Sequence, residues 1–152
     1  MSKPESNEVV ILSGDIGDKM SVIARIITLM LESEIYLVDT LYHIKKNLIG
    51  AVMNDQAMLL ARDGKIIAYA SWAFLSPEAE AKYINDTNSL DVVDWTSGDR
   101  IWLVDVIAPF GDSVTLLNHI RKLGARRGHK GTTIKFKSYK TADSYQIREV
   151  KL

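Results

Sequence analysis

The chain has 152 residues, 47% of them hydrophobic, with 19 basic against 19 acidic side chains and no cysteine. That length and apolar fraction suit one globular domain over 1–152 with a substantial core, not a disordered or collagen-like chain. Balanced charge removes the main reason to expect nucleic-acid binding, and the lack of cysteine excludes disulfides, thiolate nucleophiles and cysteine metal sites, in keeping with a cytoplasmic setting.

The opening stretch "MSKPESNEVVILSGD" is polar and has no basic patch leading into an apolar run, so no secretory signal is expected. No apolar stretch approaches the roughly 20 residues that span a bilayer; the longest, "VIARIITLML", is shorter and holds Arg25. From Gly17 to Glu32, Met20, Ile23, Ile26, Ile27, Met30 and Leu31 recur at helical spacing. Thr40 to Asn54 repeats the pattern with Leu41, Ile44, Leu48, Ile49 and Val52, and Thr40 stands as its N-cap. The period then shortens. "QAMLLARDGKIIAYASWAFLS" is two apolar runs joined at Asp63-Gly64, a strong hairpin signal. Ser76 caps a helix that opens on Pro77. A polar loop leads to the strand "IWLVDVIA", Pro109 and Gly111 break it, and "DSVTLLNHIRKLGARRG" reads as another helix. "TTIKFKSYK" and "SYQIREVKL" form a last strand pair. Helices first, then antiparallel strands with helices between them, predict an α+β domain.

Asp105 interrupts that apolar strand, and an unpaired buried carboxylate costs several kcal/mol. Either a backbone amide or an arginine such as Arg100 satisfies it, or it serves as a general acid, base or orienting group in a cleft. His43, alone on the second helix, reads as an edge or surface residue; His119 lies mid-helix and His129 in a basic turn. No two histidines share the spacing of a metal pair, and no HExxH, G-x-S-x-G elbow or P-loop occurs. No metal or cofactor is therefore expected. "RKLGARRGHKG" has the outline of a pyrophosphate loop but fails at Arg126. Its cations Arg121, Lys122, Arg126, Arg127 and Lys130 either complement a helix dipole or dock an acidic partner. Trp72, Phe74 and Leu75 belong to the core or, as the alternative, to a homodimer face.

The stretch "WTSGDRIWLVDVIAPFGD", with "IAYASWAFLS", "EAKYINDTNSL" and "QAMLL" upstream, resembles the RTX toxin-activating lysine-acyltransferases, and the likeness runs without gaps from Asp105 back towards Ile23. The resemblance implies an acetyltransferase-like (GNAT-like) fold: a bent, mainly antiparallel sheet flanked by helices. It implies a cytosolic enzyme that moves a fatty acyl chain from acyl carrier protein to internal lysines of a protoxin, with the basic run as the carrier's dock. It assigns catalysis to a histidine and an aspartate. The aspartate falls on Asp105, and Ser33 and Asn47 also match, but Tyr36 stands where the family has its histidine. Tyrosine, with an ordinary pKa near 10, is a poor base at neutral pH. His43 lies seven residues further on, about two turns of continuous helix. The family's C-terminal helical extension is also missing from this sequence. Those departures point the expectation towards short homologues in siderophore-microcin maturation, where a glucosylated catecholate siderophore is joined to a peptide C-terminus with a co-encoded partner. Conventional lysine acylation and a non-catalytic subunit are the alternatives.

Overall fold

Alternation along the strands and two local breaks in regular geometry decide where the side chains of interest point. The computed structural model describes residues 7–11, 14, 16–38, 40–141 and 144–152. One sheet runs in sequence order through β1 (Asn7–Ile11), β2 (Ala57–Arg62), β3 (Lys65–Leu75), β4 (Arg100–Ile107), β5 (Thr133–Thr141) and β6 (Ser144–Lys151). Neighbours pair antiparallel except β4 and β5, which are parallel. The helix α5 (Ser113–Arg126) supplies the crossover that a parallel pair requires. The α+β expectation holds, with one correction: the sheet is mixed. A second correction is β1, a strand before the first helix. Five half-exposed residues give little periodicity; the edge of β2 makes them a strand.

The Asp-Gly signal is answered at the β2–β3 turn, where Asp63 and Gly64 take φ of 50° and 77°. Two successive positive φ values suit the twist of a two-residue hairpin. Helix α1 (Ile16–Met30) buries Ile23, Ile26 and Met30, as its spacing predicts, and Leu29 besides, whereas Met20 and Leu31 are exposed. Ser76 Oγ accepts from the Ala79 amide at 3.1 Å and so caps α4 (Pro77–Asn85). The second predicted helix is not regular. Thr40 does cap it, but three residues of α2 (Leu41–His43) give way to a π-helical segment, Ile44–Leu48, before α3 (Ile49–Met53). Such wide turns are frequent at functional sites.

Two hydrophobic cores lie on the two faces of the sheet. On one, α1, the π segment, α3 and α4 pack with Trp95 against Leu59, Tyr69, Ala73, Leu75, Trp102 and Ile107. On the other, Leu116, Ile120 and Leu123 of α5 cover Met58, Leu60, Trp72, Ile101, Leu103 and Ile134. Trp72 and Leu75 are thus core residues. Gly50 is required at its position: a Cβ there would lie 2.3 Å from Trp95 Nε1.

Candidate active site

Along β4, Ile101 and Leu103 face α5 while Trp102 faces the opposite core. Strict alternation would send Asp105 to the α5 side with them. The register prevents this: Leu103 pairs with Trp72 and Val106 with Ala70, so Val104 and Asp105 together oppose Ser71. One extra residue in a strand is a β-bulge, which re-aims a side chain at the cost of a ladder bond. Here the Asp105 amide donates instead to Ser71 Oγ at 3.2 Å, and the carboxylate turns to the face that carries α1 and the π segment. Arg100 does not serve it, for that guanidinium pairs with Glu80 at 2.6 Å.

The Tyr36 hydroxyl donates to Asp105 Oδ1 at 3.1 Å. Tyr36 opens the 3-10 turn Tyr36–Val38 that follows α1. His43 corrects its sequence reading as an edge or surface residue: it is buried, with Nε2 3.6 Å from the same Asp105 oxygen. Its ring meets Tyr36 edge-on, with centroids 6.3 Å apart. The seven-residue separation is harmless because Tyr36 opens a 3-10 segment and His43 ends the separate short helix α2, so no continuous helix links them. Two more phenols surround the carboxylate. Burial, reinforced by the Asp105 charge, pushes both Tyr69 and Tyr83 well above the ordinary tyrosine value, so neither is a base.

Asn47 sits in the π segment, fully buried. Its Nδ2 donates to the Thr87 carbonyl at 3.1 Å and to Asn88 Oδ1 at 3.1 Å. A carbonyl can only accept, so Thr87 fixes which way the Asn47 amide points, and Asn47 in turn fixes the Asn88 oxygen. That oxygen lies 3.0 Å from His43 Nδ1. Donation from Nδ1 to that oxygen is the assignment the network favours, made from the contacts and not from observed protons. The 3.2 Å approach of Asn47 Nδ2 to Nδ1 is a contact between two donors. Nε2 lies on the Asp105 side of the ring. An imidazole beside a carboxylate is an arrangement that can accept a proton and have the resulting charge balanced.

Beside this cluster lies an apolar cavity of about 330 Å³, within the range of small-ligand sites. β4 and β5 pair at only two positions, Trp102 with Lys135 and Leu103 with Phe136. Leu103, Val104 and Val106 line the cavity from β4, Ile134 and Phe136 from β5, and Leu117 and Ile120 from α5. Tyr36 lines it too, so it opens onto Asp105's hydroxyl partner.

Ser33, by contrast, is held through its backbone: its amide donates to Met30 O and its carbonyl accepts from Leu37. No contact of its hydroxyl with Asp105 is among the described ones. Arg121, Lys122, Arg126, Arg127 and Lys130 are exposed at α5 and the turn after it, and Arg121 reaches the cavity lining. Sequence reasoning missed Ser71, Thr87, Asn88 and Lys137, short polar or basic residues without a motif. The loop "NDTNS" carried the one available signal, a cluster of turn-formers. Glu80 was missed as well. Burial alone would raise its pKa, but hydrogen bonds from Trp102 and Arg100 and the Lys135 charge outweigh that and hold it below the ordinary value. Among the described residues no group of three His, Asp or Glu side chains could hold a metal ion, and no helix is long and apolar enough to cross a membrane.

The HlyC family, described as the RTX toxin acyltransferase family, matches residues 17–151. The chain is 58% identical over 77 residues to the RTX-II toxin-activating lysine-acyltransferase ApxIIC of Actinobacillus pleuropneumoniae, covering 51% of this chain and 48% of that protein. It is 50% identical over 106 residues to the protein-lysine myristoyltransferase RtxC of Kingella kingae, 70% of this chain and 64% of that one. With the protein-lysine myristoyltransferase HlyC of Escherichia coli it shares 53% over 76 residues, 50% and 45% of the two chains. The matched region is thus less than two thirds of each relative's length.

Proposed function

Because the chain belongs to the RTX toxin acyltransferase family, we propose that it transfers a fatty acyl group from a carrier-bound thioester to lysine side chains of an RTX protoxin, in the cytoplasm. One observation carries this reading: His43 and Asp105 stand 3.6 Å apart, with Tyr36 joining Asp105 to the wall of an apolar cavity. The acyl chain occupies that cavity between β4 and β5. An opening of this kind fits the acetyltransferase-like (GNAT-like) arrangement expected of the fold.

The chemistry follows from the donor set. The lysine amine attacks the thioester carbonyl carbon, the C–S bond breaks, and an amide and a free carrier thiol result. His43 Nε2 takes the proton released as the N–C bond forms, while Asp105 stabilises the imidazolium. The same proton then passes to the departing thiolate. Tyr36 keeps the Asp105 oxygen in place through its hydroxyl. Thus the base that the family places at the Tyr36 position is supplied here by His43. The exposed cations Arg121, Lys122, Arg126, Arg127 and Lys130 suit an acidic carrier protein, and Arg121 lies where the carrier would meet the cavity.

Siderophore attachment to a microcin drew much of its appeal from the absent histidine. The short C-terminus was its other ground; a histidine 3.6 Å from Asp105 weakens the first, and the relatives' names speak of toxin activation. Intact mass decides between them. The protein is incubated with acyl carrier protein charged with fatty acid and with a protoxin fragment. A fatty-acyl increment on lysine, lost in His43→Gln, supports the reading. A siderophore-sized increment at a peptide C-terminus would support the microcin branch instead, and no increment with any donor would leave the non-catalytic role.

A further inference from the structure

Lys137 stands on β5, in the lining of the cavity and almost fully buried. Its ammonium donates to the Tyr83 carbonyl at 2.5 Å and to Thr87 Oγ1 at 2.9 Å. The rings of Tyr83 and Tyr145 lie 4.1 and 4.5 Å from it. Two acceptors and two aromatic faces compensate for the lost water. Burial nonetheless pulls its pKa down to about 8, with Asp86 opposing the fall. A lysine is a costly choice for filling such a space, and what it grips is informative. Tyr83 ends the buried face of α4, and Thr87 lies in the turn after it, where Asn88 is held by its amide to Asp86 Oδ1 at 2.9 Å. The same turn presents the Thr87 carbonyl and the Asn88 oxygen that orient Asn47 and His43.

We propose that Lys137 is a positioning residue for the base: by clamping Thr87 to β5 it holds the Thr87–Asn88 turn at the distance that keeps the proton on His43 Nδ1. This rests on the reading of His43 as the base. The clamp ties the strand that lines the acyl cavity to the turn that sets the tautomer, so one side chain keeps the two parts of the site in register. Without it, the described contacts that tie the turn to the sheet reduce to the Thr87–Tyr139 hydroxyl pair.

The test compares wild type, Lys137→Met and Lys137→Arg by the imidazole nitrogen signals of His43 in 15N-labelled protein, assigned with His43→Gln, alongside thermal melts and acyl-transfer kinetics. The expected wild-type signals show hydrogen on Nδ1. Lys137→Met, folded, shows a mixture of tautomers, a kcat about tenfold lower with the carrier KM unchanged, and a displaced acidic limb of the pH profile; Lys137→Arg restores part of each. A folded Lys137→Met with the wild-type nitrogen pattern overturns the proposal. Should that variant fail to fold, Thr87→Val, which removes one anchor of the clamp, is read in the same way and decides it. The nitrogen signals need no turnover, so a protein that transfers no acyl group would sink the proposed function and leave this inference to be judged on its own.

Discussion

Replacing Asp105 with asparagine separates what the carboxylate does for chemistry from what it does for the fold. The two side chains have nearly the same shape, and the Tyr36 hydroxyl can still donate to an amide oxygen. The change removes one charge 3.6 Å from His43 Nε2. With an effective dielectric constant of about 20, Coulomb's law gives roughly 4 to 5 kcal/mol for that pair. If the imidazolium is fully formed in the transition state, the loss corresponds to about three orders of magnitude in rate. Part of the field is replaced by the amide dipole and relaxation, so a fall of about 10²- to 10³-fold in kcat is expected. Stability should move the other way or not at all, because a buried charge is itself unfavourable. Initial rates of lysine acylation followed by intact mass, with a thermal melt on the same sample, read both quantities. A variant retaining more than about a tenth of the wild-type rate would refute the electrostatic role of Asp105. A variant that loses activity only in proportion to lost folded protein would refute it equally.

Other expectations can be checked alongside. Tyr36→Phe removes one hydrogen bond to a charged acceptor, worth about 1.5–3 kcal/mol, yet should cost at most about tenfold in rate, whereas His43→Gln should cost at least a hundredfold; the reverse order would hand the base to Tyr36. Enlarging Val106 to phenylalanine fills part of the cavity; at about 0.8 kcal/mol per buried methylene, room lost for two methylenes should shift donor preference towards chains two carbons shorter by roughly 15-fold in competition assays. Glu80 is held below its ordinary pKa, so its contribution to stability is present above pH about 4.5 and fades as pH falls through the depressed folded value. Melts of Glu80→Gln should accordingly be less stable than wild type at pH 7, by about 1–2 kcal/mol given the half-exposed Arg100 partner, and converge with it in acid. Gly50→Ala drives a methyl into the Trp95 indole and should cost about 2 kcal/mol of stability, read as a lower denaturant midpoint at unchanged slope.

Much of the architecture is legible in the residue order alone. The apolar spacing of α1, the Ser76-Pro77 start of α4, the Asp63-Gly64 hairpin and the broken-off β4 all depend on local periodicity and turn chemistry, which a sequence states directly. Asp105 is legible too, because a lone carboxylate in an apolar run is an anomaly wherever the strand packs. Its partners are not. A bulge opposite Ser71 chooses the face to which Asp105 points, and a register shift arises between strands, not within one. His43 reads as a surface residue on a regular helix, and the π-helical segment that places its neighbour Asn47 over the Thr87–Asn88 turn is a departure which periodicity cannot express. The Asn47 amide is oriented by a carbonyl 40 residues away in sequence, with Lys137 a further 50 beyond it. Local sequence fixes elements because their energies are local; the site depends on distances between elements, and only the packed chain sets those.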